Sequence, residues 1–493
     1  MHSNLPSSWQ RIVPNLKETL SLMQEKTLIG FGMVPYPRVV PSFFLQNYTI
    51  YTAKDTADVD ILRAYGYSSI FCMEEKFPKA AEKIHSASYL LGNYAFHAFL
   101  KSRKMPVRLL LHRITPDIVK KLEEQNIEWI GNKPETFQAV WLKTDFHNLL
   151  GSMHLPNMGS MRVPREQFLA YTFQQFIDQH KMPFLVQRAF SNTGIEQTPF
   201  IIQNEDDWED MMTALSLNQK FEEVHITRIL QGLTLFMAGC VTRQGILSSS
   251  LQLQLMDIKE TLAGKEPGGL QVGHDLGFCS WEENIELAAR NIVEKTGETL
   301  AKNGYKGIFG VSFMYDQKTK LIYAKECVPQ SPEDLHIYSL GILGERETPP
   351  MDFFHIAEHL AGEYRFDFNS ANTALQKRVP ISHIFISREG VYKMNIPLRP
   401  GIYSFNAEHK ELTFQREQAF PWEIKNDSEF LMLDSMPRPG KPVIGNVPSL
   451  FKLIFRQSIA TSSETLRPHI AEIISTISAG LRKDQQTPDP KTA

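Results

Sequence analysis

Along the first 132 residues, short apolar runs alternate with amphipathic stretches. The clearest run is Val107-Arg-Leu-Leu-Leu-His112, which is of strand length. Thr115-Pro116-Asp117 then predicts a helix start. Proline is tolerated there because its missing N–H would have no partner in the first turn, and a threonine hydroxyl can cap that turn. Ile118 and Leu122 continue the helix on one face, and Ile127-Glu-Trp-Ile130 supplies a second strand closed by Gly131-Asn132. Strand, helix and strand in that order predict an open, mostly parallel sheet.

The helical pattern resumes over 136–150 and again over 164–180, where Phe168, Tyr171 and Phe176 share a face. Strand is predicted at 184–187, a polar loop at 191–194, strand at 198–203, and a helix opened by Asn204-Glu-Asp-Asp207. That helix carries Trp208, Met211, Met212 and Leu215 at helical spacing. Strands at 224–230 and 233–241 flank Gly232. Ser280-Trp-Glu-Glu283 has capping-box spacing, in which hydroxyl and carboxylate each satisfy a backbone donor. The helix it opens places Ile285, Ala288, Ile292 and Leu300 on one stripe and stops at Gly304. A hairpin follows, with strands at 308–315 and 321–328. The stretch 379–433 reads as a separate small β-rich unit, and 465–481 as a last helix lined by Ile470, Ile473, Ile474 and Ile477. The polar, proline-containing 483–493 is predicted to be disordered.

Composition narrows the class. A chain of 493 residues exceeds one ordinary core, so about two to four structural units are expected. With 42% hydrophobic residues, 22% charged and a net charge of -3, it reads as a soluble globular protein with no leaning toward nucleic acid or membrane. No apolar run is long enough to span a bilayer, and the first residues lack the features of a signal peptide. Cys72, Cys240, Cys279 and Cys327 are far apart and form no CxxC, which argues against a zinc or disulfide framework. A cytoplasmic location is the default expectation, with export by a specialised secretion system left open.

In the hairpin, residues of like parity share a face, so Ser312 and Glu326 are expected to look the same way, with Gly310 leaving room for a ligand. A carboxylate on a strand face is costly to bury unless it is paired or holds a cation. Here a resemblance emerges. Asn303-Gly-Tyr-Lys-Gly-Ile-Phe-Gly-Val-Ser-Phe313 followed by Lys325-Glu-Cys-Val-Pro-Gln330 is similar to the end of an ATP-grasp fold. Gly131-Asn-Lys-Pro134 and Leu142-Lys-Thr-Asp-Phe146 resemble its entry, and Thr227-Arg-Ile-Leu-Gln-Gly232 resembles the hinge that contacts adenine. Leu398-Arg-Pro-Gly-Ile-Tyr403 and Pro437-Arg-Pro-Gly440 resemble the closing unit of the peptide- and amino-acid-ligating branch related to pheganomycin biosynthesis.

The resemblance spans roughly 105–456 and implies an α/β protein. Its parts would be an N-terminal open-sheet domain at 1–132 and an ATP-grasp domain of two α+β lobes at 133–375, its flexible lobe at 150–230. A C-terminal β-rich unit with a helix would follow at 376–482. It implies ATP and Mg2+ as cofactors, with Lys143, Gln187, Ser191, Gly194, Arg228 and Leu230 around the nucleotide and Glu326 on the metal. The implied reaction joins a small-molecule carboxylate to an amine, an amino acid or peptide, through an acyl phosphate; a homodimer or a protein partner is compatible with it. Five positions depart from the pattern: Ser312 replaces an aspartate, Val328 an asparagine, Gln330 an arginine, Gln187 the usual lysine and Thr234 the acidic residue that often holds the ribose. Asp275 and Glu283 are candidate replacements, though structural roles suit both better. The departures keep a second expectation open, a degenerate member that binds nucleotide or protein partners, and a third, a modifier of a macromolecule. His274 reads most simply as a satisfied loop histidine, and Cys327 as a core thiol facing away from Glu326.

Overall fold

The computed structural model describes residues 5–483 apart from 68, 104, 180–182, 190–199, 218–220, 263–268, 387–390, 395–397, 439–442 and 445–449. Near the N-terminus, β1 (Thr27–Gly32), β2 (Tyr48–Thr52), β3 (Ile70–Cys72), β4 (Val107–Leu110) and β5 (Glu128–Ile130) form a sheet in the order β3-β2-β1-β4-β5. Every pairing in it is parallel, as the strand–helix alternation predicts. Thr115 caps the helix Pro116–Glu124, its Oγ1 accepting from the Ile118 N–H at 3.3 Å. Ile29, Phe31, Tyr51, Phe96, Leu109 and Leu122 close one core of this layer.

A second, antiparallel sheet consists of β6 (Ser160–Pro164), β7 (Phe184–Ala189), β8 (Phe200–Ile202) and β9 (Glu223–Arg228) in the order β6-β9-β7-β8. Phe168, Phe176 and Trp208 pack against it. The single helix expected over 164–180 is in fact two, Arg165–Leu169 and Phe173–Gln179. The break has a local cause. Gln175 N–H donates to Thr172 Oγ1 at 3.2 Å, and Thr172 N–H donates to Gln175 Oε1 at 3.0 Å, a reciprocal capping box. The capping box expected at 280–283 does not form, because helix Glu283–Lys302 starts later, with Glu282 at its N-cap and no side-chain cap bond.

The largest layer is an 11-stranded sheet. It contains β10 (Leu233–Thr242), β11 (Gly245–Ser248), β12 (Gln252–Met256), β13 (Gln271–Asp275), β14 (Gly307–Asp316), β15 (Leu321–Val328) and β16 (Ser382–Ile386). After β17 (Val391–Met394) the chain adds β18 (Gly401–Asn406), β19 (Glu411–Arg416) and β20 (Glu429–Leu433), and after β21 (Val443–Ile444) it adds β22 (Phe451–Phe455). The order is β15-β14-β10-β12-β13-β16-β22-β20-β18-β19, with β11 on β10. The C-terminal β-rich stretch therefore does not stand apart: β16 pairs with β13 and carries the sheet onward. Among the described residues β17 and β21 leave it, forming a three-stranded sheet with Leu481–Lys483, and Ala460–Ser462 pairs with Thr465–Leu466 in a two-stranded one.

All ten residues of β10 are buried, because both faces of the sheet are covered. Leu235 and Met237 share a core with helix Glu283–Lys302, while Phe236, Ala238 and Cys240 share one with helices Leu335–Glu345 and Met351–Leu360 and with residues of the first sheet. The last helix is Pro468–Gly480, with Ile470, Ile473, Ile474 and Ile477 buried. The tail expected to be disordered lies almost wholly outside the described residues, since only Lys483 precedes 484. Among the described residues no helix is long and apolar enough to cross a membrane.

Candidate functional site

The predicted 136–150 helix is divided. Helix Gln138–Trp141 ends at Leu142, which is extended, and a new helix Lys143–Ser152 begins. Lys143 is therefore the first residue of a ten-residue helix, where the unpaired N–H groups and the helix dipole already favour an anion. One turn on, His147 pins this helix between two sheets. Its Nε2 is 2.8 Å from the Lys325 carbonyl of β15 and its Nδ1 is 2.9 Å from Ser160 Oγ of β6. The carbonyl can only accept, so Nε2 carries the proton and Nδ1 accepts from the hydroxyl. Burial lowers the His147 pKa, which keeps the ring neutral in this role.

The hairpin of β14 and β15 supplies the facing wall. Ser312 pairs directly with Glu326, with a register shift immediately after Ser312. Asn132 anchors the entry to β14, donating to the Lys306 carbonyl at 2.7 Å and accepting from the Lys306 N–H at 2.8 Å. Lys143 Nζ lies 3.3 Å from Glu326 Oε2 and 3.4 Å from Gln187 Oε1 of β7. The structure thus brings three of the sequence-derived residues together, from one helix and two sheets. Glu326 is a third exposed. Burial pushes its carboxyl pKa up, but the Lys143 and Lys325 charges outweigh this and bring it to about 2, so it is ionised at neutral pH.

Other expectations fare differently. Arg228 ends β9 opposite Phe184, and Leu230 lies half-buried between β9 and β10. Ser191 and Gly194 lie outside the described residues. The room expected beside Gly310 is filled: a Cβ there would stand 2.5 Å from the Phe236 ring and 3.1 Å from Pro332. Gln330 Oε1 accepts from the Ile114 N–H at 3.3 Å, joining the hairpin to the loop after β4. Asp275 is structural. It is fully buried and accepts from the N–H groups of Gly277, Phe278, Ile459 and Ala460 and from Ser458 Oγ. Glu283 is exposed in the first turn of its helix. His274 is not a loop residue: it lies within β13, buried, and its Nε2 has no hydrogen-bond partner. Cys327 is buried in the core, as alternation predicts. Sequence reasoning missed His147, although its spacing of four from Lys143 places both on one helix face.

No family model matches the sequence, and no curated protein matches it. Solved structures do. The L-amino acid ligase of Bacillus licheniformis superposes with a TM-score of 0.52 at 11% identity, over 94% of this chain and 99% of that chain. The N5-carboxyaminoimidazole synthase of Aspergillus clavatus, in complex with ADP and 5-aminoimidazole ribonucleotide, gives 0.51 at 11%, over 93% and 99%. The biotin carboxylase of Campylobacter jejuni, in a β-γ-ATP complex, gives 0.54 at 14%, over 88% of each chain.

The fold is that of the ATP-grasp enzymes. Identities this low speak for the fold alone. Within the ATP-grasp architecture, Lys143, Gln187 and Glu326 mark the seam where the four-stranded sheet meets the edge of the long one.

Proposed function

We propose that this protein is an ATP-dependent carboxylate–amine ligase of the ATP-grasp type, acting on an amino acid or peptide as in the pheganomycin-related branch. The observation that carries the reading is the Lys143–Gln187–Glu326 constellation at that seam. Lys143, at a helix N-terminus, is suited to shielding phosphate oxygens, with the helix dipole adding to its charge. Gln187 offers a neutral carboxamide beside it. Arg228 and Leu230, at the connection between the two sheets, would face the base; Ser191 and Gly194 would belong to the covering loop.

The donors also suit a magnesium ion. Glu326 is an ionised carboxylate, and Ser312 places a hydroxyl directly opposite, both hard oxygen ligands, whereas Val328 offers none. Such an ion would neutralise charge on the phosphates. The chemistry proposed is transfer of the terminal phosphoryl group to a substrate carboxylate, then displacement of phosphate by an amine to form an amide. Lys143 stabilises the charge that moves in the first step, and the two-sheet seam positions the partners.

A second reading has its own support: the Gln330 carboxamide is engaged with Ile114 and Val328 is apolar, which fits a protein that binds nucleotide without ligating. Thermal stabilisation by ATP, with and without Mg2+, separates the two. The ligase reading expects a magnesium-dependent rise in Tm that Glu326→Gln abolishes, together with ADP release in the presence of a reactive amino acid. A rise indifferent to magnesium and to Glu326→Gln supports the second reading. No rise with ATP under any condition sinks the ligase.

A further inference from the structure

The same face of the long sheet bears a second concentration of polar side chains. From β15 to β13 there are four strand steps, about 19 Å at the usual spacing, so this cluster is remote from Glu326. His274 of β13 and His383 of β16 are direct cross-strand partners, their rings 5.4 Å apart. Within the sheet their neighbours are mixed: the Phe236 ring lies 5.4 Å from His274, Gln254 is the register partner of His274 on its other side, and Ile454 is the register partner of His383. Asp334, immediately before helix Leu335–Glu345, meets them from the facing layer, its Oδ2 3.8 Å from His274 Nδ1. One nitrogen from each histidine and one carboxylate oxygen all lie within 4.8 Å of one another.

Three features make this cluster more than a packing coincidence. First, His274 Nε2 and His383 Nδ1 are both buried with no hydrogen-bond partner, where buried polar atoms ordinarily find one. Second, both rings are shut off from bulk water, His274 being 5% exposed and His383 1%, so water cannot take the place of a partner for their free nitrogens. Third, one oxygen of Asp334 is left facing the histidines. Asp334 and Asp434 share the single ammonium of Lys452, which lies 3.0 Å from Asp334 Oδ1 and also bonds Asp434, while His336 Nε2 is 2.9 Å from Asp434 Oδ2. Lys452 thereby holds one oxygen of Asp334 and leaves the other turned to His274, the kind of outer contact that orients a metal-binding carboxylate.

We propose that His274, His383 and Asp334 form a binding site for a divalent transition-metal ion of the zinc, cobalt or iron(II) class, separate from any magnesium at the nucleotide. Two imidazoles and one carboxylate suit those ions, whereas magnesium and calcium take oxygen ligands. Ligands at about 2.0–2.2 Å from a common ion stand roughly 3–4 Å apart, so the cluster closes by side-chain rotation on the order of an ångström. Three protein ligands leave a fourth position for water or a substrate oxygen.

The test uses the untagged full chain, stripped with a chelator and titrated with Co2+ alone while the visible d–d bands are followed. The expected result is one saturable equivalent, displaced by Zn2+, with Co2+ affinity reduced about 10–100-fold or more in His274→Gln and His383→Gln and unchanged in Glu326→Gln. X-ray absorption on the wild-type cobalt protein, which needs no variant to fold, should show imidazole scattering. No saturable band in the wild type, bound cobalt without imidazole scattering, or folded His274→Gln/His383→Gln protein that binds as the wild type does would each overturn the proposal.

Discussion

Lys143 stands between a glutamate and a glutamine, and that position sets what its loss should do. Its side chain is 15% exposed and that of Glu326 33%, so the pair is partly screened, and breaking it costs about 1 kcal/mol of stability at most. Its effect on ligand binding should be larger. Lys143→Met is expected to weaken ATP binding tenfold or more, about 1.4 kcal/mol, with Lys143→Arg retaining part of the affinity; calorimetric titration reads both. An unchanged Kd in Lys143→Met would remove this lysine from the nucleotide site. Lys143 and Glu326 were readable because a motif marks them. His147 carries no motif, and its partners lie 13 and 178 residues away, a separation that only packing closes.

At the scale of the element, the hairpin after helix Glu283–Lys302 isolates packing from backbone strain. Gly304 and Gly307 have nearly equal left-handed φ, 83° and 82°. A Cβ on Gly304 meets nothing within 4 Å, whereas one on Gly307 would stand 2.0 Å from His355 Nδ1, the acceptor for the Ile308 N–H. Gly304→Ala should therefore cost about 1 kcal/mol and Gly307→Ala at least about 2 kcal/mol more, read from urea midpoints. Equal losses would mean that the His355 contact relaxes freely. The hairpin itself was legible because two apolar runs of strand length flank the polar turn Asp316-Gln-Lys-Thr-Lys320. The break between Phe168 and Phe176 was not, because their apolar spacing continues through it while Thr172 and Gln175 end one helix and start the next.

Across the whole molecule, the C-terminal segment after β20 is fastened to the N-terminal sheet region. Asp58 accepts from the N–H groups of Ser435 at 2.7 Å and Met436 at 3.2 Å, and Arg438 pairs with Asp55 at 2.7 Å and with Asp60. Burial, and next the Asp434 charge, raise the Asp58 pKa to about 7. A carboxyl raised in the folded state holds its proton there while the unfolded chain has released it. Its contribution is thus complete below about pH 4 and is lost as pH rises through about 7. Asp58→Asn, which keeps an acceptor oxygen, should remove that slope. The stability of the variant relative to wild type should climb between about pH 4 and 7 by up to a few kcal/mol. His274 and His383, lowered by burial, act in the opposite sense and cancel in the difference. A flat difference curve across that window would show that Asp58 does not titrate there.

Local pattern alone determined the parallel N-terminal sheet, the Glu326 hairpin and the residues that resemble a nucleotide site, because alternation, helix caps and motif spacing act between near neighbours. It could not decide that residues 382–455 extend the long sheet, since strand pairing such as β13 with β16 joins segments over a hundred residues apart. Nor could it decide the fate of single polar residues set in apolar runs, such as His383 and Lys452. Their cost is local, but the partners that answer it, Asp334 and Asp434, come from other elements, and only the packed structure brings them within reach.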